Sequence, residues 1–131
     1  MPNHLFAYGT LRPGLAPDVV AALVAQLRVL GQGTVHGLLY DLGDYPGLLH
    51  DPTQESRVHG TVFELNGGED LLRRLDDYEG FYPHAPAQSL FLRETATVTL
   101  ADGGELDCWL YLYNHPPGTA RLIPSGIYRR Q

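Results

Sequence analysis

"ELDCWLYLY", residues 105–113, decides the fold class. From Cys108 onward it is bulky on both faces of a strand: Trp109, Tyr111 and Tyr113 fall on one, Cys108, Leu110 and Leu112 on the other. A strand apolar on both sides must be covered on both sides, which places it in a barrel or in a helix-backed sheet. "ADGG" (101–104) just upstream is a hairpin signal, and "LFLRETATVTL" (90–100) supplies the partner strand.

Working back toward the N-terminus, His4–Tyr8 is a short strand ended by the loop "YGTLRPG" (8–14). Apolar residues at Val20, Leu23, Val24 and Leu27 predict a helix over Pro17–Gly31, with Pro17 and Asp18 suited to its first turn and Gly31 to its stop. "TVHGLLYDL" (34–42) is a strand, "GDYPG" (43–47) a turn, and "LLHD" (48–51) a short extended piece. "RVHGTVFEL" (57–65) is the next strand, and its Gly60 marks a bulge or a close approach. "NGGEDLLRRLDDYEG" (66–80) is a second helix, acidic at its start and stopped by Gly80. The tail, "HPPGTARLIPSGIYRRQ" (115–131), wraps the surface or closes an edge. The sum is an α+β fold: a small mixed, mainly antiparallel β-barrel with two main helices, forming one domain over residues 1–131.

Composition narrows the function classes. The chain is 44% hydrophobic and 18% charged, a globular profile, and carries a net charge of −6. All nine basic residues are arginines and they form no basic block, which argues against a nucleic-acid partner. The single cysteine, Cys108, excludes an internal disulfide, and its alternation with leucines makes it a core residue rather than a nucleophile. With no signal-peptide pattern and no run of transmembrane length, the expectation is a soluble, cytoplasmic protein without a membrane partner. The six histidines show no metal-ligand spacing, no nucleotide fingerprint is present, and no Ser lies in GxSxG, so neither metal nor cofactor is expected.

Two places could carry chemistry. On the second helix Leu72, Leu75 and Glu79 share one face, so a carboxylate sits on the stripe that meets the core. The helix C-terminus and the neighbouring Asp76 and Asp77 both disfavour its charge, which is how a carboxyl is tuned for acid/base work near neutrality. The alternative is a solvated acidic helix end with Gly80 as a cap. In the opening loop, Gly9 would let a ligand approach the main-chain N–H groups of Gly9, Thr10 and Leu11; a plain turn is the alternative. Of the eight tyrosines, Tyr8, Tyr40 and Tyr45 fall near strand ends, while Tyr111 and Tyr113 share a strand face. Such rings serve a core or a pocket wall.

"YGTLRPG" after the first strand, "YPG" at 45–47, "LDDYEG" at 75–80 and "CWLYLY" at 108–113 occur in an order that resembles the γ-glutamyl cyclotransferase-like family over nearly the whole chain. The resemblance implies a barrel enclosing a cavity, and aminolysis of a γ-glutamyl amide by its own α-amine, releasing 5-oxoproline and a free amine. It implies that Glu79 is the acid/base group and that Tyr8, Gly9, Thr10 and Leu11 hold the glutamyl moiety. Tyr45, Tyr111 and Tyr113 would complete the binding wall and Tyr128 would cap it. No cofactor or metal is required. One departure stands out: the family commonly has Tyr-x-Arg after the glutamate, whereas this chain has Phe91-Leu92-Arg93, and Tyr82 is the candidate for the missing hydroxyl. A non-catalytic binder of γ-glutamyl compounds on the same barrel, or a hydrolase in which Glu79 activates water, are the competing readings.

Overall fold

The computed structural model describes residues 2–9, 27–43, 45–65 and 69–128. Their elements are β1 (His4–Ala7), β2 (Arg28–Asp41), β3 (Pro46–His50), β4 (Arg57–Glu64), α1 (Glu69–Glu79), a 3₁₀ turn (Pro86–Gln88), β5 (Phe91–Leu100), β6 (Glu105–Tyr113) and β7 (Arg121–Leu122). The strands run in the order β3-β2-β4-β1-β6-β5, and β5 pairs back onto β2, which closes β2, β4, β1, β6 and β5 into a five-stranded barrel. Among the described residues every pairing is antiparallel except β1 with β6, where Leu5 lies opposite Trp109.

The two-faced strands divide the apolar residues as their alternation requires. Phe6, Tyr8, Val35, Leu39, Val58, Val62, Val98, Cys108 and Leu110 make the core cluster of the barrel interior. Leu5, Ala7, Phe63, Phe91 and Tyr111 point the other way, into a second cluster with Leu75 of α1, flanked by Trp109 and Tyr113. In β6 the split between Cys108 and Leu110 on one side and Trp109, Tyr111 and Tyr113 on the other is the one expected from "CWLYLY". Cys108 is fully buried, and burial pushes its thiol up to about 12, so it stays protonated packing material. At Gly60 a Cβ would meet the Ala7 carbonyl oxygen at 2.5 Å, the close approach that this position signalled.

Three expectations need correction. Arg28–Gly31 is not the end of a helix but the start of β2: Arg28 and Val29 pair with Glu64 and Phe63, and the register shifts between Val29 and Gly31. Long-range pairing with β4 overrides the local helical spacing there, and the rest of that expected helix, residues 17–26, lies outside the described residues. Among the described residues α1 is therefore the one α-helix. Second, Pro46 and Gly47 open β3 rather than complete a turn, pairing with Asp41 and Tyr40. Third, Tyr128 is buried in the barrel-interior cluster instead of capping a pocket. The tail does close an edge: β7 pairs with Tyr40 and Asp41 of β2.

Tyr8 ties three elements together at the end of β1. Its hydroxyl donates to the Tyr111 carbonyl on β6 (2.5 Å) and accepts from the Leu48 N–H on β3 (3.2 Å). Burial, and secondarily the charge of Glu79, pushes its phenol far above the ordinary range, so it remains a donor at any working pH. Tyr8→Phe leaves a buried N–H and a buried carbonyl without this partner. The variant is expected to lose about 1–3 kcal/mol, read as a lower urea midpoint with an unchanged m-value.

Candidate active site

At one end of the barrel β1 and β6 finish while β3 and β5 begin, and a pocket opens there. Its empty space, open solvent at the mouth included, is about 350 Å³. Its described lining is Phe6, Ala7, Tyr8, Gly9, Tyr45, Pro46, Glu79, Phe91 and Tyr111. Aromatic and aliphatic groups make most of the described wall, and among the described lining residues Glu79 is the one that carries a carboxyl.

Glu79 reaches the pocket because of how α1 stops. Gly80 takes a left-handed conformation (φ 72°), its N–H donates to Asp77 O (3.3 Å), and the Phe81 N–H donates to Asp76 O (2.9 Å). This paired arrangement is a Schellman cap, and it makes Glu79 the last residue of the helix. The face shared with the fully buried Leu75 then turns the carboxyl inward. Both readings of "EG" hold at once: the glycine caps, and the glutamate enters a pocket. The following loop is pinned by Leu90 N–H to Gly80 O (2.9 Å), by Tyr82 N–H to the Ser89 hydroxyl (2.8 Å), and by the Asn114 amide to Ser89 O (2.9 Å). These bonds fix where Phe91 enters the pocket.

Burial is the larger cause, and the charge of Asp76 the second, of a Glu79 carboxyl pushed up to about 8. Asp77 is exposed on the outer face of α1. Asp76, by contrast, is buried, and donors surround it. Arg93 Nε and Nη2 donate to its two oxygens (2.8 and 3.3 Å), and the Tyr111 hydroxyl donates to Oδ1 (2.7 Å). The Arg93 guanidinium lies over the Trp109 ring with its carbon 4.4 Å from the centroid. Burial first, then the hydrogen bond to Asp76, raises the Tyr111 phenol well above its usual range.

Of the residues singled out in the sequence, Tyr8, Gly9, Tyr45, Glu79 and Tyr111 line the one pocket. Tyr113 stands behind it, edge-on to Phe91 with centroids 5.7 Å apart, and Phe91 in turn meets Tyr45 at 5.8 Å. The Tyr8 hydroxyl is committed to Tyr111 O and Leu48 N–H, so what it offers the pocket is its ring. Thr10 and Leu11 lie outside the described residues. Tyr82 does not replace the absent hydroxyl: it is 44% exposed and lines no part of the pocket, where Phe91 presents a bare ring. Sequence reasoning missed Pro46, packed so closely on Gly9 that a Cβ there would lie 2.8 Å from the proline Cγ. It also missed the Asp76–Arg93 pair. Spacing alone put Asp76 one helical turn before Glu79, but its partner is 17 residues further on and only the barrel brings it close. Among the described residues no group of three or more His, Cys, Asp or Glu stands close enough to hold a metal ion.

Comparison with known proteins agrees with this geometry. The family model described as γ-glutamyl cyclotransferase, AIG2-like, matches residues 5–130. The chain is 34% identical over 116 residues to the γ-L-glutamyl-butirosin B γ-glutamyl cyclotransferase of Niallia circulans, covering 87% of this chain and 68% of that one. The crystal structure of an AIG2-like protein from Mus musculus superposes with a TM-score of 0.75 at 25% identity, over 98% of this chain and 88% of the mouse chain. The Escherichia coli protein ytfP superposes with a TM-score of 0.65 at 25% identity, over 95% of each. With a family match across nearly its whole length and the same barrel, the chain belongs to the AIG2-like γ-glutamyl cyclotransferase family.

Proposed function

We propose that the pocket cyclises a γ-glutamyl amide, with Glu79 as general acid and base. The observation that carries this reading is a half-buried glutamate, its carboxyl pushed up to about 8, on the wall of a pocket that also exposes Gly9 at the end of β1. Ionised Glu79 takes a proton from the substrate's α-ammonium. The freed amine attacks the γ-carbonyl carbon, forming the ring C–N bond and placing negative charge on the carbonyl oxygen. Protonated Glu79 then passes its proton to the leaving nitrogen as the amide C–N bond breaks, and the ring nitrogen gives its remaining extra proton to the released amine, leaving 5-oxoproline, the amine as its ammonium, and Glu79 ionised again. Nucleophile and electrophile belong to one molecule, so the site's main task is to hold the chain in a ring-forming conformation. A group that accepts a proton and then returns it works best with a pKa near the working pH, which an exposed glutamate does not have. Main-chain N–H groups at Gly9, with Thr10 and Leu11 following in the sequence, are the proposed donors to the oxyanion and the glutamyl group. The partner is a small γ-glutamyl compound, no cofactor takes part, and the reading is of a cytoplasmic enzyme.

Incubation with a panel of γ-glutamyl amines and γ-glutamyl amino acids is expected to release 5-oxoproline from at least one. Release from none of them sinks the proposal; a free glutamate product in its place makes the protein a hydrolase. Glu79→Gln keeps the shape and is expected to lower kcat by roughly 10²–10⁴-fold. Because the ionised form begins the reaction, kcat/KM should rise with pH and level off above about 8.

The same carboxyl sets a stability signature. Folded Glu79 holds its proton to about pH 8, whereas an unfolded chain releases it in the ordinary carboxyl range. Folding therefore binds a proton between those limits, and its contribution to stability falls as pH rises through them. Glu79→Gln has nothing to ionise. It should gain stability relative to wild type between about pH 5 and 9, measured by denaturant titration at each pH; parallel curves would mean that Glu79 is solvated.

A further inference from the structure

Two carboxyls lie one turn apart at the end of α1, and the pocket needs the proton on one of them. Hydrogen bonding decides which. Among the described residues the side-chain partners of the Asp76 carboxyl are donors: Arg93 Nε and Nη2 and the Tyr111 hydroxyl, the last of these a pocket-lining residue. Three donors, one of them a guanidinium in two-point contact, take up both Asp76 oxygens. Arg93 is held in its turn by the Trp109 ring beneath it and by burial: its side chain is 17% exposed against 5% for Asp76. We propose that Asp76 is a positioning residue whose bridge to Arg93 and Tyr111 leaves Glu79 as the proton carrier of the pair and sets the Tyr111 wall beside it.

The bridge does two things for a site that works as proposed above, on which this inference rests. It occupies both Asp76 oxygens, so that the proton taken from the substrate goes to, and returns from, the carboxyl facing the pocket. It also anchors the Tyr111 ring through its own hydroxyl, while the Tyr111 main-chain carbonyl is held by Tyr8. The wall is thereby fixed at both ends of one residue. Titratable groups face Glu79 from each element packed against it: Asp76 on its own helix, Tyr8 at the end of β1, Tyr45 beside β3 and Tyr111 on β6, with Arg93 of β5 behind Asp76. Burial raises the Tyr8 and Tyr111 phenols, which stay neutral, so the ion pair of the neighbourhood is Asp76–Arg93.

The two members of the pair should therefore act on Glu79 in opposite directions. In the full-length protein, the side-chain carboxyl of Glu79 is titrated by ¹³C NMR and compared with the pH profile of kcat/KM. Asp76→Asn removes the negative charge and is expected to bring the Glu79 midpoint about one pH unit lower. Arg93→Gln removes the compensating positive charge and is expected to raise the Glu79 midpoint. Arg93→Lys keeps the charge and is expected to restore a midpoint close to that of wild type. A merely structural role loosens the site in every case and lets water in, so a downward shift in Arg93→Gln overturns the proposal. So does an unchanged midpoint in Asp76→Asn. If Asp76→Asn fails to fold, the direction seen in Arg93→Gln decides. The NMR titration reads Glu79 whether or not the protein turns over a γ-glutamyl amide. Shifts of the expected sign in a protein that releases no 5-oxoproline would therefore uphold this inference and reject the proposed reaction.

Discussion

The parallel pairing of β1 with β6 is the constraint on which the site depends. With Leu5 beside Trp109 and both strands running the same way, Gly9 and Tyr111 arrive at the same end of the barrel. Antiparallel partners on the outer sides, β4 against β1 and β5 against β6, complete the arrangement, so that Arg93 lies opposite Tyr111 and Phe91 opposite Tyr113. Had β1 run the other way, its glycine would open at the far mouth, away from Tyr111. A two-residue hairpin cannot make a parallel pair, so the intervening chain has to travel from one end of the barrel to the other. It does so through β2, β3, β4 and α1, and that journey delivers Glu79 to the right end.

Burial on both faces of β1, β4 and β6 explains why a helix is needed outside the barrel at all. Leu5, Ala7, Phe63 and Tyr111 would be exposed on the outer surface without Leu75 and its neighbours on α1. Covering them is worth roughly 25 cal/mol per Å² of apolar surface removed from water. The same packing carries the helix's acidic end into a low-dielectric site. The basic residues of α1 itself, Arg73 and Arg74, lean toward the exposed Asp70 and leave that end uncompensated from within the helix. Compensation comes from β5 instead, through Arg93. Stability and chemistry thus draw on one contact surface: the helix that seals the barrel also raises the pKa of its last residue.

Much of this was legible in local pattern, and the failures have a common cause. "CWLYLY" announced a two-sided strand because alternation is written into consecutive residues. Leu72, Leu75 and Glu79 announced one helical face for the same reason, and Gly80 announced the stop. Val29 and Leu30 fell inside the span expected to be a helix from the spacing of Val20 to Leu27, yet they belong to a strand in which Val29 pairs with Phe63, more than thirty residues away. Pro46-Gly47 looked like turn chemistry because proline and glycine usually are; their burial against the end of β1 is a tertiary fact. Asp76 looked like a repelling neighbour of Glu79, which it is, but its guanidinium partner depends on the β5–β6 register. The family resemblance supplied the pairing of the glycine loop with Glu79 that no local pattern contained. It did not supply the reason that Tyr8 belongs with them, a hydroxyl spent on holding three strands.

That use of Tyr8 bears on how such a pocket can diverge. Its walls are of two kinds. Tyr8 and Tyr111 are bonded into the barrel and to Asp76, so changing either disturbs the scaffold along with the cavity. Phe91 is held by ring contacts with Tyr45 and Tyr113 and carries no polar atom that the fold requires. The ring at Phe91 can therefore be exchanged without removing any side-chain hydrogen bond of the scaffold. The pocket is a rigid half and a replaceable half, joined at the end of a single helix.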